Sequence, residues 1–112
     1  MDPLLTKDEV LIVLTTWPDL EKARAAARTL VEGKLAACGN VIPAIESIYR
    51  WQGNVETSAE VLVIFKTTAA LYPKLETRVR ELHSYDVPEI VAFRVAEGLP
   101  DYLRWVGETC AG

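Results

Sequence analysis

Short apolar runs alternate along this chain with stretches whose apolar residues recur at helical spacing. The run at residues 10–14 is continuously apolar, which predicts a strand that is central in a sheet or covered on both faces. Thr16 and Asp19 then fit a capping box, with Pro18 suited to a first helical turn. Gly33 supplies a helix stop. Between these signals we predict a helix from the spacing of five apolar residues: Leu20, Ala23, Ala27, Leu30 and Val31.

The middle of the chain predicts a β-hairpin of unusual length. An extended stretch covers residues 35–51, residues 52–54 turn the chain, and a return strand covers 55–67. Since proline has no donor for a sheet ladder, the first strand must lie at an edge or bulge near Pro43. Both strands exceed the usual length of about 5–6 residues roughly twofold. We interpret the hairpin as an oligomerisation arm, because large apolar side chains near its tip would be costly in water: Ile48, Tyr49 and Trp51.

The second half of the chain repeats the alternation of helix and strand. Apolar residues at helical spacing predict a helix over 71–82, with Pro73 in its first turn. Pro88 ends this pattern, residues 89–95 predict a fourth strand, and a short terminal helix follows. The order strand, helix, strand, strand, helix, strand is that of a ferredoxin-like split βαβ sandwich. We therefore predict an α+β fold with two helices on one face of a four-stranded antiparallel sheet, a long central hairpin and a short C-terminal helix.

The composition is that of a single, mildly acidic globular domain. The 112 residues suffice for one domain over 1–112, and half of them are apolar while a quarter are charged. The 12 basic and 16 acidic residues give a formal net charge of -4, and the basic residues are scattered along the chain. This pattern disfavours nucleic acid and an anionic membrane surface as partners.

Two features of the sequence concern the cellular compartment. The first ten residues carry no basic n-region, and the longest apolar run is far too short for a signal-peptide core or a membrane span. Cys38 and Cys110 alone do not make a disulfide framework, so we interpret both as reduced thiols, with Cys110 exposed near the terminus. We therefore predict a cytoplasmic protein that does not associate with a membrane.

The run at residues 83–89 carries the candidate chemistry, because it holds the chain's one histidine and lies where a helix pattern gives way to a strand pattern. His83 and Glu89, with the phenol of Tyr85 between them, could ligate a metal or hold an effector. A second interpretation is structural, since a histidine at a helix C-terminus favours the negative end of the helix dipole. The chain has no recognisable nucleophile–base pair and no glycine-rich phosphate loop, so we do not expect an enzyme.

Three further residues could line a ligand site. Cys38 is either a soft ligand facing an intersubunit cleft or a small buried hydrophobe. Lys66 could meet an anionic effector, or it could pair with Glu60 or Glu89. Tyr85 could stack on a ligand or pack at an interface. Since element junctions at an oligomer rim give ligands access to fixed side chains, we predict one site in a cleft between subunits. Its expected lining is Cys38, Lys66, His83, Tyr85 and Glu89.

Five segments carry a family pattern whose order and spacing agree from about residue 10 to residue 105: 35–41, 47–53, 60–67, 83–89 and 102–105. The first two read Leu-Ala-Ala-Cys-Gly-Asn-Val and Ser-Ile-Tyr-Arg-Trp-Gln-Gly. With these segments the chain resembles the CutA family of divalent-cation tolerance proteins. The resemblance implies a ferredoxin-like fold in a tight homotrimer whose sheets continue between subunits. It also implies copper or other divalent-metal binding in some members, a link to metal tolerance, and no established catalytic activity.

The chain departs from the copper-ligating members of that family at two positions. Those members carry a cysteine where this chain has Thr15 and a second histidine where it has Leu82. A metal site using His83 and Glu89 would suit Cu(II) or Zn(II) and would draw ligands from two subunits. We predict a trimeric divalent-cation tolerance protein that binds a metal ion and takes part in the response to metal. The alternative is a PII-like sensor that binds a small anionic molecule in the intersubunit cleft through Lys66.

Overall fold

The computed structural model describes residues 8–111 and confirms the predicted ferredoxin-like α+β fold. The elements are β1 (Val10–Trp17), α1 (Leu20–Glu32), β2 (Cys38–Trp51), β3 (Asn54–Thr68), α2 (Tyr72–Leu82), β4 (Ile90–Arg94) and α3 (Pro100–Ala111). The four antiparallel strands form one sheet in the order β2-β3-β1-β4. Within the described range no helix combines the length and the apolarity needed to cross a membrane. Residues 1–7, which are part of the segment compared with a signal peptide, lie outside that range.

The main core lies between the sheet and the helices α1 and α2. Side-chain alternation along β1 sends Val13 and Trp17 to this side, and Val13 pairs across the sheet with the fully buried Phe65. The helices contribute mostly small or aliphatic side chains to the same cluster: Ala23, Ala26, Ala27, Leu30, Leu75 and Val79. Each larger buried apolar side chain stabilises the fold by roughly 1.5–3 kcal/mol relative to exposure. This packing fixes the end of β1 against the end of α2, where the candidate site lies.

The opposite face of the sheet is apolar and largely open in the single chain. Ile12 pairs with Phe93 and Leu14 with Val91 across β1 and β4, so these four side chains share one face. Phe93 is 54% exposed and Val91 is 43% exposed. A second buried cluster joins α3 to the start of β1: Val10, Ala37, Val106 and Cys110.

The long central hairpin is present as predicted and extends well beyond the sheet. The β2–β3 register shifts between Ile42 and Ile45, around Pro43, and β2 is an edge strand, so both ways of accommodating this proline are realised. The two-residue turn of the hairpin has positive φ at Gln52 (49°) and Gly53 (83°), as is typical of tight hairpins. Since β3 pairs with β1 only from residue 61 onward, the remaining hairpin, residues 45–60, forms a free arm.

The predicted start of α1 is wrong by three residues. The N-cap is Asp19, whose Oδ1 accepts a hydrogen bond of 2.8 Å from the backbone N–H of Lys22. Thr16 stays in β1 and pairs with Leu62, because sheet pairing continues past the position that favoured a cap in the sequence. The helix ends before Gly33 as predicted, although the left-handed residue that follows is Lys34, with a φ of 61°.

The prediction that Cys110 is exposed is also wrong. Its side chain is only 6% exposed and belongs to the cluster that α3 forms with β1. Burial, the largest influence, raises the pKa of the Cys110 thiol above its usual value. Proximity to the chain terminus therefore did not decide exposure, because the terminal helix packs back onto the sheet.

Candidate functional site

The imidazole of His83 stacks on the indole of Trp17 at the junction of β1 and α2. The ring centroids are 4.3 Å apart and the ring planes differ by 25°. His83 is the C-cap residue of α2, and its backbone N–H donates to the carbonyl of Val79 at 2.9 Å. This position at the helix C-terminus is the one that the structural interpretation of His83 required.

Both ring nitrogens of His83 have hydrogen-bond partners. Nε2 lies 2.6 Å from the carbonyl oxygen of Thr16, and Nδ1 accepts a hydrogen bond of 3.1 Å from the backbone N–H of Tyr85. Because a carbonyl oxygen can only accept, Nε2 carries the proton and Nδ1 presents its lone pair to Tyr85. A metal ion would therefore have to displace one of these partners before His83 could ligate it.

Thr15 supports the indole on which His83 stacks. Its Oγ1 accepts a hydrogen bond of 2.8 Å from Nε1 of Trp17 and donates one of 3.0 Å to the carbonyl of Val63. Thr15 is fully buried, and Leu82 packs against the main core. At the two positions where the sequence departs from the expected copper ligands, Thr15 is thus held by hydrogen bonds and Leu82 by packing.

Tyr85 links the segment 83–89 to the arm. Its ring lies 4.6 Å from the His83 ring, and its hydroxyl donates a hydrogen bond of 3.0 Å to Oε2 of Glu60. Burial, followed by this hydrogen bond and the Glu60 charge, raises the pKa of Tyr85 to about 12. The phenol therefore remains a neutral donor to the carboxylate over the physiological pH range.

A cavity of about 470 Å³ opens between the arm and the segment 83–89. Its lining consists of Thr16, Tyr49, Trp51, Ser58, Glu60, Tyr85, Asp86, Val87 and Glu89. Of the predicted site residues, Tyr85 and Glu89 line this cavity, and His83 is in contact with Tyr85. Among the described residues of one chain, no group of three or more His, Cys, Asp or Glu side chains is arranged to hold a metal ion.

Cys38 and Lys66 lie elsewhere on the sheet. They are directly opposite each other in the β2–β3 register, where Lys66 Nζ donates to Asn40 Oδ1 and Cys38 Sγ lies 3.8 Å from the Tyr102 hydroxyl. The partner of Lys66 is thus an amide oxygen, in place of the expected Glu60 or Glu89. Lys66 pairs with residue 12 of β1, whereas the His83 ring contacts residue 16.

Within one chain, the five predicted site residues therefore lie in two separate places. His83, Tyr85 and Glu89 gather beside the arm, while Cys38 and Lys66 lie four residues away along β1. At roughly 3.3 Å per residue, that offset is about 13 Å. A single cleft lined by all five residues stays a prediction about assembled subunits.

Several residues of this region could not be identified from the sequence. No sequence pattern connects Trp17 with His83, yet the indole supplies the surface on which His83 stacks. Tyr49 and Ser58 line the same cavity as Tyr85, although more than 25 residues of the chain separate each of them from it. Among the charged lining residues that were not predicted, only Asp86 could have been suspected from the sequence, because it lies inside the run 83–89 that carries the histidine.

Comparisons with known proteins give a consistent result. A family model described as CutA1 divalent ion tolerance protein matches residues 11–109. The divalent-cation tolerance protein CutA of Thermus thermophilus is 53% identical over 97 residues, which cover 87% of this chain and 94% of that protein. Protein CutA of Mus musculus is 45% identical over 97 residues, and the chain spans only 55% of its length.

Solved structures resemble the whole described fold. The divalent cation tolerance protein of Thermus thermophilus superposes with a TM-score of 0.87 at 51% identity, covering 89% of this chain and 97% of that chain. CutA of Xylella fastidiosa superposes with a TM-score of 0.88 at 40% identity, covering 91% and 98% respectively. The similarity thus extends through sequence and architecture together.

Proposed function

We propose that this chain, which belongs to the CutA1 family of divalent ion tolerance proteins, works as a homotrimer in the response to divalent metal ions. The observation that carries the proposal is the match of residues 11–109 to a family described by divalent ion tolerance. That description names an ion response and no reaction, so we propose no catalytic activity.

Self-association is supported by apolar surface that one chain leaves in water. On the arm, Ile48 is 66% exposed and Val55 is 65% exposed, and both lie on the face of the hairpin that does not line the cavity beside Tyr85. The open sheet face adds Val91 and Phe93. Monomeric soluble proteins rarely keep contiguous apolar patches of this kind, and a protruding hairpin also leaves strand edges unpaired. Burial of both surfaces against further copies of the chain would remove these costs.

A metal ion in this assembly would be held between subunits. Zn(II) and Cu(II) usually take about four protein or water ligands. In the described part of one chain, no three His, Cys, Asp or Glu side chains lie close enough together to bind one ion. His83 would contribute a nitrogen only after releasing Thr16 or Tyr85. Glu89 is exposed in the cavity beside it. We therefore propose His83 and Glu89 as partial ligands that a neighbouring subunit completes.

Two measurements test this proposal. Light scattering at micromolar concentration should give three times the chain mass of 12.4 kDa. Calorimetric titration with Zn(II) and Cu(II) should show binding that weakens in His83→Phe and in Glu89→Gln. His83→Phe keeps a ring that can stack on Trp17, so its effect separates ligation from packing. Glu97→Gln is the control, because it removes one negative charge from an exposed position, as Glu89→Gln does.

The outcomes separate assembly from metal binding. A mass of one chain would overturn the trimer. Metal affinities of His83→Phe and Glu89→Gln equal to that of the wild type would exclude these two residues as ligands. The anion-binding alternative gains no support from the cavity beside Tyr85, whose charged lining consists of Glu60, Asp86 and Glu89.

A further inference from the structure

We propose that the cavity between the arm and the segment 83–89 binds an organic cation, of the class of alkylated ammonium ions. The proposal concerns a ligand other than a metal and does not depend on metal binding by this protein. It rests on the charge of the cavity, on its aromatic surfaces and on its size.

The charge of the cavity is uniformly negative among the described residues that line it. Glu60, Asp86 and Glu89 contribute carboxylates, and no lysine or arginine is among the lining residues. The basic residue Arg80 lies along a neighbouring concavity, together with Glu81 and Asp86. Because opposite charge is favoured in a partly enclosed site, the cavity should attract cations and repel anions.

Hydrogen bonding fixes part of this acidic lining. Glu60 is half-buried, and its Oε2 accepts the hydrogen bond from the Tyr85 hydroxyl at 3.0 Å. The Tyr85 ring is in turn held against His83, which stacks on Trp17. The carboxylate and the phenol are therefore positioned by the core before any ligand arrives.

Aromatic surfaces provide the second element of recognition. Tyr49 and Trp51 are two residues apart on β2, so both rings lie on the same face of the arm, opposite Tyr85 across the cavity. A cation over the face of such a ring is attracted by the ring quadrupole, and alkylated ammonium ions are recognised in this way. The tetrahedral alkyl groups also cover apolar ring surface that is otherwise exposed.

Size and donor geometry favour an organic cation over a bare metal ion in this cavity. The volume of about 470 Å³ lies within the usual range of small-molecule sites. A metal ion needs several donors at about 2.0–2.6 Å from one point, and the described residues contain no such group. Carboxylates distributed around an aromatic-lined cavity can instead attract the spread-out charge of an alkylated ammonium ion, which needs no direct coordination at a single point.

The test uses the assembled wild-type protein and tetramethylammonium as the probe. Binding should quench or shift tryptophan fluorescence, and titration calorimetry should give a saturable isotherm. Tert-butanol, which has a similar shape and no charge, is the matched ligand and should bind roughly two- to thirtyfold more weakly, as expected for loss of a cation–π contribution.

Three variants assign the site. Glu60→Gln and Trp51→Leu should each weaken tetramethylammonium binding severalfold, because one removes a carboxylate charge and the other removes a ring face. Glu46→Gln is the matched control, since Glu46 is exposed and lies on the opposite face of the same arm, with Ala59 as its partner. Circular dichroism and light scattering show whether each variant keeps the fold and the assembly of the wild type.

The outcomes distinguish this proposal from metal binding. Equal affinity for tetramethylammonium and tert-butanol, or no binding of either, would overturn it. Equal effects of Glu60→Gln and Glu46→Gln would show nonspecific attraction to an acidic protein and would overturn it as well. A parallel titration with Zn(II) that succeeds while tetramethylammonium fails would leave the metal proposal standing and reject the organic cation.

Discussion

The rings of Trp17 and His83 stack at 4.3 Å between centroids, and this contact joins the end of β1 to the end of α2. Trp17 is 1% exposed, so its indole is part of the main core. The N–H at the edge of the same indole donates a hydrogen bond to Thr15, and His83 stacks on its face. Through this stack the packing of the core determines where the segment 83–89 begins.

The first prediction concerns the support of that stack by Thr15. Thr15→Val keeps the shape but removes the hydroxyl that accepts from Trp17 Nε1 and donates to the Val63 carbonyl. Leaving buried polar groups unpaired should lower the free energy of unfolding by about 1–3 kcal/mol. Denaturant unfolding at a fixed protein concentration measures this change. Thr15→Ser, which keeps the hydroxyl and loses one methyl group, should cost less; the reverse order would contradict the role of the hydrogen bonds.

The second prediction is an alkaline transition of Tyr85. Its pKa is raised from 10.0 to about 12 in the folded protein, so the folded state binds the phenolic proton more tightly than the unfolded state does. The resulting stabilisation is complete below pH 10 and is lost as pH rises from about 10 to about 12. The absorbance of phenolate should show this late titration. Tyr85→Phe should remove one phenol from it and leave the contribution of Tyr72, whose pKa is also raised to about 12.

Glu60→Gln provides the control for the cause of that shift. Removing the carboxylate charge should bring the pKa of Tyr85 downward, but burial is the larger cause and should keep it above 10.0. Burial, followed by the hydrogen bond to Glu76, likewise raises the pKa of Tyr72 to about 12, and this pKa should not respond to Glu60→Gln. A Tyr85 pKa unchanged by Glu60→Gln would show that the hydrogen bond is not maintained in solution.

The third prediction concerns the arm. Ile48 is 66% exposed in one chain and does not line the cavity beside Tyr85. If the arm is an oligomer contact, Ile48→Lys should dissociate the assembly, because the interface would have to bury an unpaired charge. An ordinary surface change usually alters stability by less than about 0.5 kcal/mol. Light scattering should show a lower mass for Ile48→Lys and an unchanged mass for Glu97→Lys. Equal masses for both variants would remove Ile48 from the interface.

The fourth prediction concerns thiol reactivity. Cys110 is buried and the pKa of its thiol is raised, so little thiolate is available at neutral pH. In a Cys38→Ser background, Cys110 should react with a disulfide reagent much more slowly than in the denatured chain. The ratio of the native and denatured rates measures the protection. Rapid native labelling would mean that α3 detaches from the sheet.

Much of the fold follows directly from local patterns in the sequence. The apolar run at 10–14, the helical spacing at 71–82 and the long hairpin around Pro43 each lie where they were predicted. Periodicity determines these elements because each must bury one face or stripe of side chains. The start of α1 was predicted wrongly, since a capping preference is worth only about 1 kcal/mol and sheet pairing of Thr16 exceeds it.

The sequence by itself also identified the segment 83–89 and the pairing of its histidine with a helix end. Only the tertiary structure decided what His83 touches: the stack on Trp17 and the hydrogen bond to Thr16 both join residues more than 60 positions apart. It likewise decided that Lys66 lies beside Cys38 and that Glu60 lies beside Tyr85. Local periodicity carries no information about such contacts, because strand order and register bring together side chains that are distant in the chain.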